Sequence, residues 1–304
     1  MRFARLLATQ TILLRLLCAV ADGAERLPVY PAAEINLMAD RQSVVRADGL
    51  IRDGKYLFKS MRYPEAGRFL SDATNLCARI GYKTAFLDAA NTTALLLLET
   101  GRTNESRELL VRLFRESFTL KKKNLQIISD LLNNISLVEI RQGRPPAEIF
   151  RQLKRAARIN RDPVKAMIIE NNRCLLLIRT GEAKKAAASL RGMILKAERK
   201  GYYEPLVLGL LRIAEARLSL KDVKSAEKAF NQALDRAVFW EYKRGLSLAL
   251  GSMANHYAAQ GDAVKALEYA RALLAAHLSM NATGLLDADK ERIRMLEASS
   301  PGQR

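Results

Sequence analysis

From about residue 41 to residue 280, apolar residues recur three and four positions apart, which places them on one face of an α-helix. The apolar stretches come in pairs, each pair split by a short break. First helices are predicted near residues 41–60, 83–100, 122–142, 163–180, 203–220 and 241–260. Second helices are predicted near 64–79, 103–117, 146–159, 182–199, 222–238 and 262–279. Pro64 suits the first turn of a helix and Asp222 an N-cap, while Gly101, Gly143, Gly181 and Gly261 suit the turns. Arg144, Pro145 and Pro146 add a one-residue irregularity to the third unit. Strand-like alternation is hard to find, and good helix formers (Leu, Ala, Arg, Lys, Glu) dominate.

A small residue stands early in each second helix: Ala66, Ser106, Ala147, Ala186, Ala226 and Ala266, separated by 40, 41, 39, 40 and 40 residues. A globular core has no reason to keep such a beat. Periods of roughly 20–50 residues mark stacked repeats, whose units bury their apolar faces only against neighbours. The expected fold is an all-α solenoid of about six helix-turn-helix repeats over residues 41–280. Residues 281–304 would supply a capping helix near 285–297 and a tail, with Leu285, Ile293 and Leu296 covering the exposed end. The length of 304 residues would suit about two globular domains. No Pro/Gly/Ser-rich linker divides the array, so one elongated unit fits better.

The N-terminus differs. Arg2 and Arg5 precede an apolar run from Leu6 to Leu14, and Ala19, Val20 and Ala21 close it with a small-x-small ending. This describes a secretory signal peptide over 1–21, followed by a leader over 22–40 in which Pro28 and Pro31 discourage a helix. Arg15 interrupts the apolar run, so an amphipathic N-terminal helix is the alternative. Cys18 follows Leu17 where a lipoprotein site expects a small residue. The expectation is export to a periplasm, with a cytoplasmic location as the alternative. Cys77 and Cys174 lie in different repeats, too far apart for a disulfide, and read as small buried apolar residues.

Fifty Lys and Arg against 32 Asp and Glu give a formal charge of +18. Such a surface attracts acidic proteins, anionic headgroups or nucleic acid, or is simply solvated. The cations are spread over every repeat, and the compact run Lys121, Lys122 and Lys123 falls in an inter-repeat turn. Aromatic residues are only 6%, and no basic stretch interleaves with aromatics as a nucleic-acid site would require. No nucleic-acid partner is expected.

The two-helix unit resembles the tetratricopeptide repeat. The sixth unit carries Ala254, Tyr257, Gly261 and Ala266 at that family's spacings, and the fifth carries Ala214, Ala226, Phe230 and Ala233. The fourth keeps Gly181 and Ala186 with Leu190 in the aromatic position. The first three units are looser, with Met61 where Gly belongs and Ser106 in place of Ala. A spacing near 40 exceeds the family's usual 34 and looks like the long-repeat branch of kinesin light chains and bacterial peptide sensors. The resemblance implies a right-handed superhelical solenoid that binds protein segments in a concave groove lined by its first helices.

Asn91, Asn133 and Asn171 fall at corresponding turns of three successive first helices, and Asn134 and Asn172 make doublets of the last two. They stand where the long-repeat branch carries asparagines that bond the backbone of an extended peptide. A carboxamide offers two donors and two lone pairs, enough for both polar groups of one peptide unit. Helix packing would space the carboxamides by roughly 10 Å, near the reach of three extended residues. Bridging between neighbouring helices is the competing role. Arg141 and Arg179, near the ends of first helices, would add charge for an acidic ligand, while Leu95, Leu98, Leu137, Ile140, Leu175 and Ile178 read as core or groove wall.

His256 and His277 are the only histidines. No metal-ligand spacing, phosphate-cradling glycine loop or nucleophile elbow stands in the chain. No catalytic, cofactor or metal site is expected. The reading is a non-catalytic scaffold binding a protein segment, with Asn91, Asn133, Asn134, Asn171, Asn172, Arg141 and Arg179 as contacts. A basic adaptor for anionic membrane or envelope polymer is one alternative, and a cytoplasmic peptide-sensing regulator the other.

Overall fold

The computed structural model describes residues 41–298 apart from 121–123, 144–146, 148–149, 151–152, 155 and 158–159. The signal segment 1–21 with Cys18, the leader 22–40, the run Lys121 to Lys123, the Arg144 to Pro146 irregularity and the tail 299–304 lie outside the described residues.

Every described element is helical. The first helices are α1 (Arg41–Lys59), α3 (Lys83–Glu99), α5 (Leu125–Arg141), α6 (Pro163–Arg179), α8 (Tyr203–Ser219) and α10 (Lys243–Gln260). The second helices are α2 (Tyr63–Arg79), α4 (Thr103–Ser117), α7 (Ala183–Lys200), α9 (Val223–Phe239) and α11 (Ala263–Ser279). Described helical residues between α5 and α6 stand where the third unit's second helix is expected. A short 3-10 turn (Thr283–Leu285) leads into α12 (Leu286–Ala298). The fold is a solenoid of helix-turn-helix repeats, each helix packed on the next in sequence.

The turns set the period. Residues 61, 81, 101, 181, 201, 221, 241, 261 and 281 all have positive φ, and most are Gly. After each, the next amide bonds a carbonyl five residues back, as in Tyr82 N–H to Cys77 at 2.9 Å and Tyr202 N–H to Ala197 at 2.9 Å. This is the Schellman closure of a helix C-terminus. Turns within and between repeats share it, so the chain advances by 20 residues per helix. Two helices of nearly equal length therefore account for the spacing of 40.

Burial separates an inner from an outer layer. The second helices are one-sided: α9 buries Ala226, Ala229, Phe230, Ala233 and Ala237 and turns its charges outward. The first helices are enclosed. All residues from Pro205 to Leu211 of α8 are buried, and none from Glu204 to Leu218 is fully exposed. Close approach makes this possible: a Cβ on Gly209 would lie 2.8 Å from Met193 Cε and 2.9 Å from Ile194 Cγ1.

The two ends of the array meet. Leu57, Phe58, Met61, Tyr63 and Ala66 of the first repeat form one buried cluster with Met280 and Ala282, and Leu95, Leu246 and Leu285 pack against it. The 3-10 turn packs on α2, with Gly284 beside Pro64. Leu285 thus seals this junction, while Leu296 of α12 packs on the large core of the fourth to sixth repeats. Ile293 is half-buried.

Met61 stands at φ 63° and is 2% exposed, whereas Lys221 at φ 61° is solvent-exposed. A left-handed non-Gly residue is strained by roughly 1–2 kcal/mol, partly offset in a Gly variant by the freer unfolded chain. Lys221→Gly is therefore expected to stabilise by up to about 1 kcal/mol, a rise in melting temperature of roughly 1–3 °C. Met61→Gly is expected to lower it, because burial of the side chain at the junction is worth about 1.5–3 kcal/mol. Calorimetry on the pair checks the opposite signs.

Candidate functional site

The asparagines of the inner layer bond one another. Asn172 Nδ2 on α6 donates to Asn133 Oδ1 on α5 at 2.7 Å, and Asn133 Nδ2 donates to Asn134 Oδ1 at 3.1 Å. Asn134 Nδ2 then donates to Asn91 Oδ1 on α3 at 2.8 Å. This chain crosses three repeats, and all five asparagines are buried, the most accessible at 8%. The linked set is not the in-register trio: Asn172 and Asn134, second members of their doublets, supply the bonds between helices. Asn171 lies outside the chain, and its Oδ1 has no hydrogen-bond partner among the described residues. The geometry favours bridging between repeats, since these oxygens and amides already face each other in the free protein. A buried carboxamide without such partners would cost more than the bond returns.

The apolar positions beside them are mainly core. Leu98, Ile140 and Leu175 are buried, and Leu95, Leu137 and Ile178 pack half-buried against core clusters of their own repeats and their neighbours. Arg179 is exposed at the end of α6. Arg141 is engaged: its Nη1 donates to the Leu98 carbonyl at 2.5 Å and its Nη2 to Glu99 Oε1 at 3.3 Å.

Glu99 is the centre of a second polar bridge. Arg244 Nη2, at the start of α10, donates to the same Glu99 oxygen at 2.9 Å, joining residues 145 apart in sequence. The Glu99 side chain is 14% exposed. Burial opposes its ionisation, but the charges and hydrogen bonds of Arg244 and Arg141 outweigh that and hold the carboxyl below the usual range. Burial raises the Tyr63 and Tyr242 hydroxyls well above the ordinary phenol value, and Glu99 adds to this at Tyr63. Both tyrosines thus stay neutral beside the ion cluster, and Tyr242 Oη meets Glu204 Oε1 at 3.3 Å.

A third constellation escaped sequence reasoning. Ser247 Oγ on α10 lies 2.8 Å from His277 Nε2 on α11, and His277 Nδ1 lies 2.5 Å from Asp289 Oδ2 on α12. The residue types are those of a hydrolytic triad. Ser247, however, sits inside a continuous helix, where its amide and the next ones feed helical bonds and cannot form an oxyanion hole beside the hydroxyl. What the relay does here is fasten the capping helix to the sixth repeat. The spacings of 30 and 12 residues gave no signal, because three helices had to be docked before the groups met. His256 packs against the Phe230 and Tyr257 rings, and its Nε2 lies 3.4 Å from Glu227 Oε1. Cys77 and Cys174 are free and buried, each thiol pushed up to about 11 by burial. Among the described residues no group of three His, Cys, Asp or Glu could hold a metal ion, and no helix is long and apolar enough to cross a membrane.

These features define an all-helical repeat protein whose interior polar groups tie repeat to repeat. Among solved structures it is similar to BtubC (BKLC) from P. vanneervenii, at 14% identity over 79% of this chain and 92% of that one, with a TM-score of 0.46. It is also similar to the TPR2AB-domain:pHSP90 complex of yeast Sti1, at 15% identity over 84% of this chain and 99% of that one, with a TM-score of 0.35. No protein-family model matches the chain, and no curated protein matches it.

Asn134→Ala removes a donor and an acceptor from the middle of the asparagine chain and is expected to cost about 1–3 kcal/mol through the partners left unpaired. Asn171→Ala, whose oxygen is already unpaired, is expected to cost less. Chemical denaturation of both checks the order.

Glu99 gives a pH signature. A carboxyl whose folded pKa lies below its unfolded one contributes stability that is complete above the unfolded value. That contribution is lost as pH falls through the folded value. Glu99→Gln leaves Arg244 without its counter-charge and is expected to cost about 3 kcal/mol at neutral pH, the low end for a buried pair. It is also expected to flatten the acid limb of melting temperature against pH. Unchanged acid sensitivity would separate Glu99 from the closure.

Proposed function

We propose that the protein is a non-catalytic interaction scaffold that receives a segment of an acidic partner on its basic outer surface. The observation that carries this reading is the layered solenoid. Its inner polar groups are bonded to one another, while the outer helices present a long exposed face. The extended-ligand idea moves from the concave wall to the outer face, because the inner helices are enclosed and Glu99–Arg244 joins the second repeat to the sixth. Asn91, Asn133, Asn134, Asn171 and Asn172 then serve the shape of the scaffold, and exposed Arg179 remains available to a ligand.

Affinity capture from cell extract with the full chain tests the reading. Acidic proteins should be enriched at moderate salt and released as salt rises, because surface charges are screened beyond about 8–10 Å at physiological ionic strength. No enrichment over an unrelated basic protein of equal charge would sink it.

One observation favours a membrane as a second reading. Val238 and Phe239 end α9 and Trp240 follows it, at exposures of 59%, 70% and 43%, and Tyr203 lies 6.2 Å from Trp240 between ring centres. Lys243 follows this tip closely in sequence, and Arg199 and Lys200 directly precede Tyr203. Such an aromatic and basic edge suits the headgroup layer of an anionic bilayer. Trp240 is the chain's only tryptophan, so its emission should shift to shorter wavelength on phosphatidylserine vesicles if the tip inserts. An unshifted spectrum would exclude insertion there. Export through the N-terminal segment is part of the same proposal, and N-terminal sequencing of the natural protein decides it against a cytoplasmic regulator.

A further inference from the structure

The outer helices α7 and α9 stand apart over α8, leaving an open groove of about 350 Å³. Ile194, Leu210 and Ile213 form its apolar floor and inner wall, and Arg191, Arg217 and Lys228 stand around it. Its lining holds three cations and no carboxylate. Arg217 keeps one bond to Asp222, at 3.2 Å, while Arg191 and Lys228 carry no ion pair among the described residues. Leu195 projects beside the floor at 55% exposure.

The repeat itself shows why the space is open. In the sixth repeat the corresponding positions hold Tyr257 and Tyr269, whose rings stack 5.5 Å apart and 3° from parallel, with Lys265 capping Tyr257 at 4.8 Å. In the fifth repeat the same two positions, nine before and three after the anchoring alanine, are Arg217 and Ala229. A pair of rings is thus replaced by a guanidinium and a methyl group. In the second repeat the positions of Ser225 and Lys228 are Glu105 and Glu108, and that of Arg191, in the preceding helix, is Ser71. The combination of apolar floor and three cations at the junction of the fourth and fifth repeats is therefore not repeated at the corresponding positions of the second and sixth.

We infer that this groove docks an acidic partner segment carrying an aromatic or branched aliphatic anchor. The anchor fills the volume left by the missing rings, and flanking carboxylates meet Arg191, Arg217 and Lys228. Charge complementarity and size point to this occupant: the volume lies at the low end of ligand pockets, enough for one or two side chains. A recessed slot between two helices also receives an inserted side chain, whereas a bilayer engages a protruding edge. The inference rests on the scaffold reading and gives it a site.

The test is fluorescence anisotropy on the full chain with short labelled synthetic peptides. One carries Leu and Phe between Glu residues, a second replaces Leu and Phe by Ala, and a third replaces Glu by Lys. Phosphatidylserine vesicles form a separate arm. The first peptide is expected to bind best. Arg217→Tyr combined with Ala229→Tyr transplants the ring pair of the sixth repeat and should weaken binding at least about tenfold. Arg191→Glu with Lys228→Glu, at exposed positions that leave folding intact, should do the same. Equal binding to wild type and both variants, no preference for the apolar anchors, or binding of vesicles only would overturn the assignment. If partners are still captured by wild type but no such peptide binds, the groove falls and the scaffold stands. If capture fails, the scaffold falls and the peptide titration still decides the groove.

Discussion

A stack of two-helix units leaves one apolar flank uncovered at each end, and here the ends cover each other. The junction of Leu57, Phe58, Met61 and Tyr63 with Met280 and Ala282 is apolar, but its alignment is set by Glu99, which Arg141 and Arg244 reach from two other repeats. Apolar contact has no direction, whereas a carboxylate shared by two guanidinium groups fixes which helices meet and at what height. The rest follows from that closure. The first helices gain neighbours on their inner side, half-exposed positions become enclosed, and polar groups on that wall must find partners within the protein.

The asparagine chain answers that requirement. Carboxamides can donate and accept at once, so four of them link α3, α5 and α6 without a charge and without leaving the chain open at an interior member. The same economy appears at the other end, where His277 ties Ser247 to Asp289 and so seats the capping helix. Polar chemistry inside this fold is chiefly connective, which leaves recognition to the outer helices. There, substitutions at single repeat positions change the surface without disturbing the stack.

Much of the architecture was legible beforehand, and the reasons can be named. Helix positions agree to within two or three residues, since glycines at 81, 101, 181, 201 and 261 mark turns that side chains resist. Met61, Lys221, Glu241 and Asn281 adopt the same left-handed backbone without glycine, so the 20-residue advance was harder to see than the 40-residue one. The asparagines were visible as an unusual set, but not which member of each doublet points along the inner wall. That depends on a rotation of α5, and the third unit, with its irregular spacing, breaks the simple register between repeats.

The sequence by itself determined the helices, their pairing and their beat, because helix periodicity and turn chemistry act within a few residues. Only the tertiary structure decided that the array meets its own end, that the carboxamides bond one another, and that Arg217 and Ala229 leave a slot where Tyr257 and Tyr269 fill one. Those outcomes depend on distances between groups on different helices, up to 145 residues apart, as in Tyr257 with Tyr269 and Glu99 with Arg244. Such distances are the sum of many small helix rotations, and no local pattern of residues encodes that sum.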